Sequence, residues 1–286
     1  MLVATLLALA AAVLHAAWNL AVKQSGDRYV ALWGQFAVAG TIGLAVIAIA
    51  AVAGGGPRGV TLVVPAAGWM WALVSGLIHV PYCWFLARAY DRGDFSLVYP
   101  MARGGGALVA AVAGIVVLGD HVSALGGISI AIVAGGLALL SGPGGSGADV
   151  QAALGVALTI GAYSTVDAHG IRSTDTPLYA MASFVGIAIF TTAFGLVSRR
   201  GSAMAAAMRL SWRRFTLMGV AALVTYAMVQ LAFQRAAVGY VTALRESSVV
   251  IAAFAGNRLL GETAGARRMI ASAVVLGGLI LLVATA

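Results

Sequence analysis

The sequence predicts an all-α membrane protein with ten transmembrane helices. Of its 286 residues, 62% are apolar and only 9% are Asp, Glu, Lys or Arg, whereas about 25% of residues are charged in a typical soluble domain. The apolar residues form runs close to the length of about 20 residues that crosses a bilayer as a helix. Strands of a membrane barrel would be about ten residues long and would alternate apolar with polar side chains. The chain is therefore expected to lie almost wholly in the bilayer.

The apolar runs are separated by charged residues and by clusters of glycine and proline, which mark the expected loops. The first half of the chain contains runs at residues 2–22, 30–52, 66–87, 95–118 and 122–141. The second half contains runs at residues 152–171, 178–198, 214–235, 239–260 and 266–285. No positive charge precedes the first run, so we expect it to be a retained helix and not a cleaved signal peptide.

An internal repeat relates the two halves. Sliding the chain by 142 residues aligns an arginine, a Leu-Gly-acid motif and a Gly-Gly-Leu motif. The aligned pairs are Arg103 with Arg245, Leu118-Gly119-Asp120 with Leu260-Gly261-Glu262, and Gly135-Gly136-Leu137 with Gly277-Gly278-Leu279. We expect a first five-helix repeat over residues 1–141, a Gly/Ser linker over 142–151 and a second five-helix repeat over 152–286. Because five is odd, the second repeat would be inverted in the membrane relative to the first.

The basic residues predict an orientation and account for the net charge of +8. One side of the predicted topology carries twelve of them: Lys23, Arg28, Arg88, Arg92, Arg199, Arg200, Arg209, Arg213, Arg214, Arg258, Arg267 and Arg268. The other side carries Arg58, Arg172 and Arg235. Taken alone, the positive-inside rule places the larger set in the cytoplasm and both termini outside. Residues 199–214 are either a short amphipathic surface helix or a solvated basic loop.

Three polar motifs interrupt the apolar runs: His15-Ala-Ala-Trp18-Asn19, Ser96-Leu-Val-Tyr99-Pro100-Met-Ala-Arg103-Gly104 and Ala243-Leu-Arg245-Glu246-Ser247. Together with the repeat, they resemble the drug/metabolite transporter superfamily, and in particular its ten-helix EamA-type permeases. The resemblance covers the whole chain and implies transport of small metabolites or drugs. It also implies cytoplasmic termini, against the charge distribution, so the sidedness of the chain stays open.

Among the Asp, Glu, Lys and Arg side chains, four lie well inside predicted helices and away from their ends: Arg103, Asp167, Arg245 and Glu246. Each is a candidate functional residue, because a charge within the membrane costs about 2.5–3.5 kcal/mol on insertion scales. Neighbouring residues on a helix point about 100° apart, so Arg245 and Glu246 are not expected to pair with each other. Asp167 is then the expected partner of Arg245, and Glu246 the candidate for proton coupling. The alternative is that either acid forms a purely structural pair with Arg245.

Arg103 has no acid in the predicted helices of its own half. We expect its guanidinium to bind a substrate carboxylate or phosphonate, with Asn19 as a further donor and Trp18 as a flat wall. The alternative is that Arg103 donates to backbone carbonyls that Pro100 leaves without helical partners. The remaining predicted substrate-binding residues are Tyr99, Tyr163 and Gln230.

The sequence carries no motif of a metalloenzyme, a serine hydrolase or a nucleotide-binding loop, and its only cysteine is Cys83. We therefore expect no enzyme activity, no metal and no cofactor. The expected function is proton-coupled movement, as export, of an amino acid or a related zwitterion or anion across the cytoplasmic membrane by alternating access. The alternatives are a permease for cationic drugs or quaternary amines, and a membrane assembly or sensory protein without transport. The expected partners are a small-molecule substrate and the lipid bilayer but no nucleic acid, and the chain is expected to be a monomer or a homodimer.

Overall fold

The fold is described from a computed structural model, for residues 2–53, 62–118, 123–140, 147–174, 176–233, 235, 244–262 and 265–284. These residues form ten α-helices and contain no strand, which confirms the predicted all-α class. The first five helices are α1 (Leu2–Lys23), α2 (Arg28–Ala53), α3 (Ala66–Arg92), α4 (Phe95–Leu118) and α5 (Ala124–Leu140). The others are α6 (Gly147–Thr174), α7 (Tyr179–Val197), α8 (Gly201–Phe233), α9 (Ser248–Leu259) and α10 (Gly265–Ala284).

Six of the described helices are long and apolar enough to cross a membrane, judged by length and composition. The stretches that meet this criterion are Leu2–Lys23, Arg28–Ala53, Ala66–Arg92, Phe95–Ala113, Tyr179–Val197 and Gly265–Ala284. Helices α5 and α9 are apolar but shorter, at 17 and 12 residues. The chain therefore has the helices of a multi-pass membrane protein.

Two elements differ from the predicted runs. Helix α8 begins at Gly201 and contains a break at Ser211, whose φ is −121° and ψ is 16°. The stretch before this break is thus helical, which favours the helix over the solvated loop for the first part of residues 199–214. Helix α9 begins at Ser248, after a turn at Glu246 and Ser247, whereas the predicted run began at residue 239. Residues 236–243 lie outside the described residues.

The helices form two compact units, each with segments from both halves of the sequence. Unit 1 comprises Met1–Arg28, Phe85–Gly161 and Ala221–Ala286, and unit 2 comprises Tyr29–Trp84 and Ala162–Val220. In unit 1, Ala4, Ala8 and Ala11 form a stripe on α1 that packs against Val229 and Ala232 of α8. In unit 2, one core cluster is built around Ala72, Tyr179 and Ala182.

A reciprocal glycine contact joins α5 and α10 within unit 1. A Cβ atom at Gly136 would lie 2.7 Å from Val275 Cγ2, and a Cβ atom at Gly278 would lie 2.7 Å from Val133 Cγ2. Both glycines therefore let the facing valine and its backbone approach closely, as small residues do between membrane helices. The offset of 142 residues relates Gly136 to Gly278 and Val133 to Val275. Each contact is thus the repeat-related counterpart of the other.

Candidate functional site

A buried ion pair joins the two halves of the sequence within unit 1. Arg103 lies on α4, and its Nη2 donates a hydrogen bond to Oε1 of Glu246, in the turn before α9. The two side chains are only 10% and 6% exposed. The expectation that Arg103 has no acidic partner was wrong, because it considered acids of the first half only. The partner comes from the second half, which packs α9 against α4.

Glu246 also contacts Arg245, its neighbour in sequence. Arg245 Nη2 lies 3.8 Å from the same Oε1 atom of Glu246. The prediction that these neighbours point apart assumed one continuous helix. It was wrong, because Glu246 and Ser247 form a turn between the helical residue Arg245 and the start of α9. Glu246 is therefore not the unpaired carboxylate that we expected, since it contacts both repeat-related arginines.

Aromatic side chains of α1 and α4 lie in contact with one another near this ion pair. The His15 ring lies 4.9 Å from that of Trp18 and 6.1 Å from that of Tyr99, both edge-on. His15 and Tyr99 each lie within electrostatic reach of Arg103 and Arg245. The structure thus brings Trp18 and Tyr99 together at His15, which lies near Arg103. We call the set Arg103, Arg245, Glu246, His15, Trp18 and Tyr99 the Arg103 cluster.

The Arg103 cluster includes buried polar atoms without a hydrogen-bond partner among the described residues. Among them are Nε1 of Trp18, a donor, and Oε2 of Glu246. Trp18 is 7% exposed and Glu246 is 4% exposed. A buried polar atom without a partner is costly, and most such atoms in folded proteins are satisfied by protein or water. The Arg103 cluster therefore retains capacity to bind water or a polar ligand.

Asn19, predicted as a further donor to the ligand, has other contacts in unit 1. Its Oδ1 accepts a hydrogen bond from the hydroxyl of Tyr90 at 3.0 Å, and its Nδ2 donates to the carbonyl of His15 at 2.9 Å. These bonds tie α1 to α3 and to its own preceding turn. They favour a packing role for Asn19, and we leave it out of the Arg103 cluster.

The other predicted site residues belong to unit 2 or are not described. Asp167 Oδ1 accepts a hydrogen bond from the hydroxyl of Tyr179 at 3.0 Å. Tyr163 stacks on the ring of His79 at 4.2 Å, and Nδ1 of His79 is 2.8 Å from the carbonyl oxygen of Ser75. The pairing of Asp167 with Arg245 stays a prediction. The side chain of Gln230 lies outside the described residues.

A second charged cluster, not predicted from the sequence, lies at the start of α4. Both oxygens of Glu262 accept backbone hydrogen bonds, from Phe95 N at 2.6 Å and from Ser96 N at 2.8 Å. Arg268 Nη1 is 2.6 Å from Asp94 Oδ2 and 3.9 Å from Glu262 Oε2. The carboxylate of Glu262 thus satisfies two of the N–H groups that a helix start leaves without partners. The sequence feature that could have identified Glu262 is the acid that follows Leu-Gly in each half. We assigned no role to that acid.

Lys23 connects the second charged cluster with the end of α3. Its Nζ donates to the carbonyls of Tyr90 and Gly93, both at 2.7 Å. Because Gly93 adjoins Asp94, the partner of Arg268, the basic residues Lys23 and Arg268 lie at the same end of unit 1. This placement agrees with their assignment to one side of the predicted topology.

The helices and their buried charges define a multi-pass integral membrane protein. Residues 149–284 match the model of the EamA-like transporter family, which confirms the resemblance drawn from the motifs and identifies the second half of the chain as an EamA-like segment. The match indicates a membrane transporter of the drug/metabolite type. Members of this family are transporters and not enzymes.

A solved structure described as "Crystal structure of protein" is similar to this chain. It has a TM-score of 0.56 and 16% sequence identity, and the similarity covers 98% of this chain and 96% of that chain. At this identity the likeness concerns the fold alone. No curated protein matches the chain.

Proposed function

We propose that this chain is a secondary active transporter that moves a small polar metabolite with an acid group across the cytoplasmic membrane. The substrate class is an amino acid or a related zwitterionic or anionic compound, moved by alternating access. The observation that carries the proposal is the buried pair of Arg103 and Glu246. Ionisable side chains within a membrane protein are costly and mark substrate or ion pathways, and a guanidinium suits the two oxygens of an acid group.

Two inverted repeats, over residues 1–141 and 152–286, provide the framework for alternating access in this proposal. The reciprocal contacts of Gly136 with Val275 and of Gly278 with Val133 support it, because a twofold relation between two repeats produces such a pair. In secondary transporters of this design, binding sites lie where the repeats meet near the middle of the bilayer. Arg103 and Arg245 are the repeat-related pair on which we place the site. The protein would act as a monomer or a homodimer.

Glu246 is the proposed proton-coupling residue. In its ionised form it neutralises Arg103, and in its protonated form it no longer does so. Protonation therefore changes the charge that Arg103 presents to a substrate. This dependence would let a proton gradient drive the transport of the substrate.

A permease for cationic drugs or quaternary amines is the second candidate, and a feature of unit 2 favours it. The carboxylate of Asp167 and the stacked rings of Tyr163 and His79 lie on helices of that unit, and such groups bind organic cations through charge and cation–π contacts. In that case the pair of Arg103 and Glu246 would be structural. Substitution Arg103→Lys separates the two, because it retains the charge but not the bidentate geometry. Unchanged flux would favour the cation permease.

The experiment that tests the proposed function is counterflow in proteoliposomes. Purified protein is reconstituted in vesicles loaded with one unlabelled compound, and entry of the same labelled compound is followed. The compounds are amino acids, simple carboxylates and quaternary amines. We expect counterflow for a compound with an acid group, and loss of most of it in Arg103→Lys, but not in Arg258→Lys at an exposed position. Absence of counterflow for every compound would favour a membrane protein without transport.

A further inference from the structure

We propose that Glu246 occupies on Arg103 the place that the acid group of the substrate takes when the substrate binds. The carboxylate of Glu246 then occupies the position of the substrate carboxylate while no substrate is bound. The substrate is a small carboxylic acid that needs no amino group for binding. This inference rests on the proposed function and adds to it the substrate class and the order of events at the site.

The placement of Glu246 permits this exchange. Arg103 is fixed within α4, whereas Glu246 lies in a turn before the first residue of α9. Arg245 Nη2 already lies 3.8 Å from Glu246 Oε1. When Glu246 leaves Arg103, its carboxylate therefore remains beside a second guanidinium.

The Arg103 cluster contains a hydrogen-bond donor that Glu246 does not use. The indole N–H of Trp18 is buried and has no hydrogen-bond partner among the described residues. Glu246 does not accept from it, although its Oε2 is likewise buried without a partner in the described part of the chain. An acid group that approaches from outside is not tethered as Glu246 is, and its second oxygen is available to a neutral donor. Glu246, tethered to its turn, contacts the guanidinium groups of Arg103 and Arg245 but not the indole N–H of Trp18.

The acid has no counterpart at the aligned position of the other half. The residue aligned with Glu246 in the first half is Gly104. A Cβ atom there would lie 3.3 Å from Leu137 Cδ2 and closer still to Val275 Cγ1, so a larger side chain does not fit without displacement of its neighbours. One carboxylate therefore serves two repeat-related arginines. In this proposal the Glu246 carboxylate occupies Arg103 until the acid group of a substrate replaces it.

The exchange couples proton binding to substrate binding, because protonation of Glu246 favours binding of the substrate anion. In the described part of unit 1, Glu246 contacts Arg103 of α4 and the neighbouring Arg245, Tyr99 of α4 lies within electrostatic range of it, and His15 of α1 lies within range of both arginines. A proton taken from water converts the Glu246 carboxylate into a neutral acid, and the substrate anion then restores the counter-charge of Arg103. One proton and one monoanion together leave the buried charge unchanged. The two therefore bind in the same state and move in the same direction.

This coupling has the opposite direction to the export expected from the sequence. An inward proton gradient would drive uptake of the acid, because proton and anion travel together. Movement of a proton with a monoanion is also electroneutral. The affinity for the acid should rise as the pH falls, as long as the acid itself stays ionised.

The test compares binding of three probes to the purified full-length chain: propionate, L-alanine and propylamine. Binding is followed by isothermal titration calorimetry in the natural chain, in Glu246→Gln and in the control Asp91→Asn, which removes a half-exposed carboxylate paired with Arg28. Glu246→Gln removes the competitor for Arg103, so we expect propionate and L-alanine to bind about tenfold more tightly, within the usual range of coupling between two ligands. The affinity should also lose its dependence on pH. Asp91→Asn should match the natural chain, and propylamine should not bind.

Several results would overturn the inference. Weaker binding of L-alanine to Glu246→Gln, with propionate unchanged, would mean that Glu246 holds the amino group. Equal affinities in both chains, or no binding of propionate and L-alanine to either, would also contradict it. If Glu246→Gln does not fold, the natural chain decides: affinity for propionate that is independent of pH contradicts the inference. Failure of the proposed function is seen separately, as absence of counterflow in vesicles.

Discussion

Substitution Arg103→Gln is expected to lower the free energy of unfolding by about 3–5 kcal/mol, because loss of one partner leaves a buried charge uncompensated. Glu246 is 4% exposed, so its carboxylate cannot recover its hydration after the guanidinium is lost. Arg245, whose Nη2 is 3.8 Å away, compensates only in part. The measurement is the thermal unfolding midpoint of purified protein in detergent, with counterflow followed in parallel.

The double variant Arg103→Gln/Glu246→Gln distinguishes a charge effect from general disruption. It removes both members of the pair, so we expect its stability to return most of the way to that of the natural chain. Its transport should remain absent, because the binding guanidinium is gone. Arg258→Gln, at an exposed position, should change neither property. A single variant as stable as the natural chain, or a double variant no more stable than the single, would contradict this assignment.

Substitution Glu262→Ala is expected to have the second largest effect. It removes the acceptor of two backbone hydrogen bonds at the start of α4 and an acidic neighbour of the buried Arg268. A buried donor left without an acceptor costs about 1–3 kcal/mol, and two donors are affected. We expect a lower unfolding midpoint and faster hydrogen exchange at Phe95 and Ser96.

A smaller decrease in the unfolding midpoint is expected for Glu262→Gln, because the amide retains one acceptor oxygen for the start of α4. Asp91→Ala is the matched control, since it removes a carboxylate whose side chain is 50% exposed. Surface ion pairs of this kind contribute about 0–1 kcal/mol. Equal unfolding midpoints for Glu262→Ala and Asp91→Ala would show that Glu262 does not stabilise the start of α4.

The positions of most helices were predictable, because the length of each apolar run determines where a membrane helix can lie. The start of α9 was not. Arg245, Glu246 and Ser247 stand within a run that is otherwise apolar, and hydropathy assigns them to the helix. In the structure the buried contact of Glu246 with Arg103 coincides with a turn at that point, a tertiary effect that local sequence does not carry.

The members of the site were predictable in part for the same reason. Arg103, Arg245 and Glu246 are conspicuous as charges among apolar residues, and this is sufficient to select them. Their pairing depends on which helices of the two halves meet, and the assumption of one continuous helix excluded the contact of Arg245 with Glu246. Glu262 was recognised as part of the Leu-Gly-acid motif. Its role depends on the start of α4 lying next to it, and the sequence does not indicate that contact.

The measurement that most directly tests the coupling of transport to the pair of Arg103 and Glu246 is accumulation driven by a pH gradient. Vesicles that contain the natural chain or Glu246→Gln are given an alkaline interior, and uptake of the labelled acid identified by counterflow is followed to its steady state. The natural chain should concentrate the acid inside, whereas Glu246→Gln should exchange it in counterflow without concentrating it. Equal accumulation by the two chains, or exchange without accumulation by the natural chain, would contradict proton coupling at Glu246.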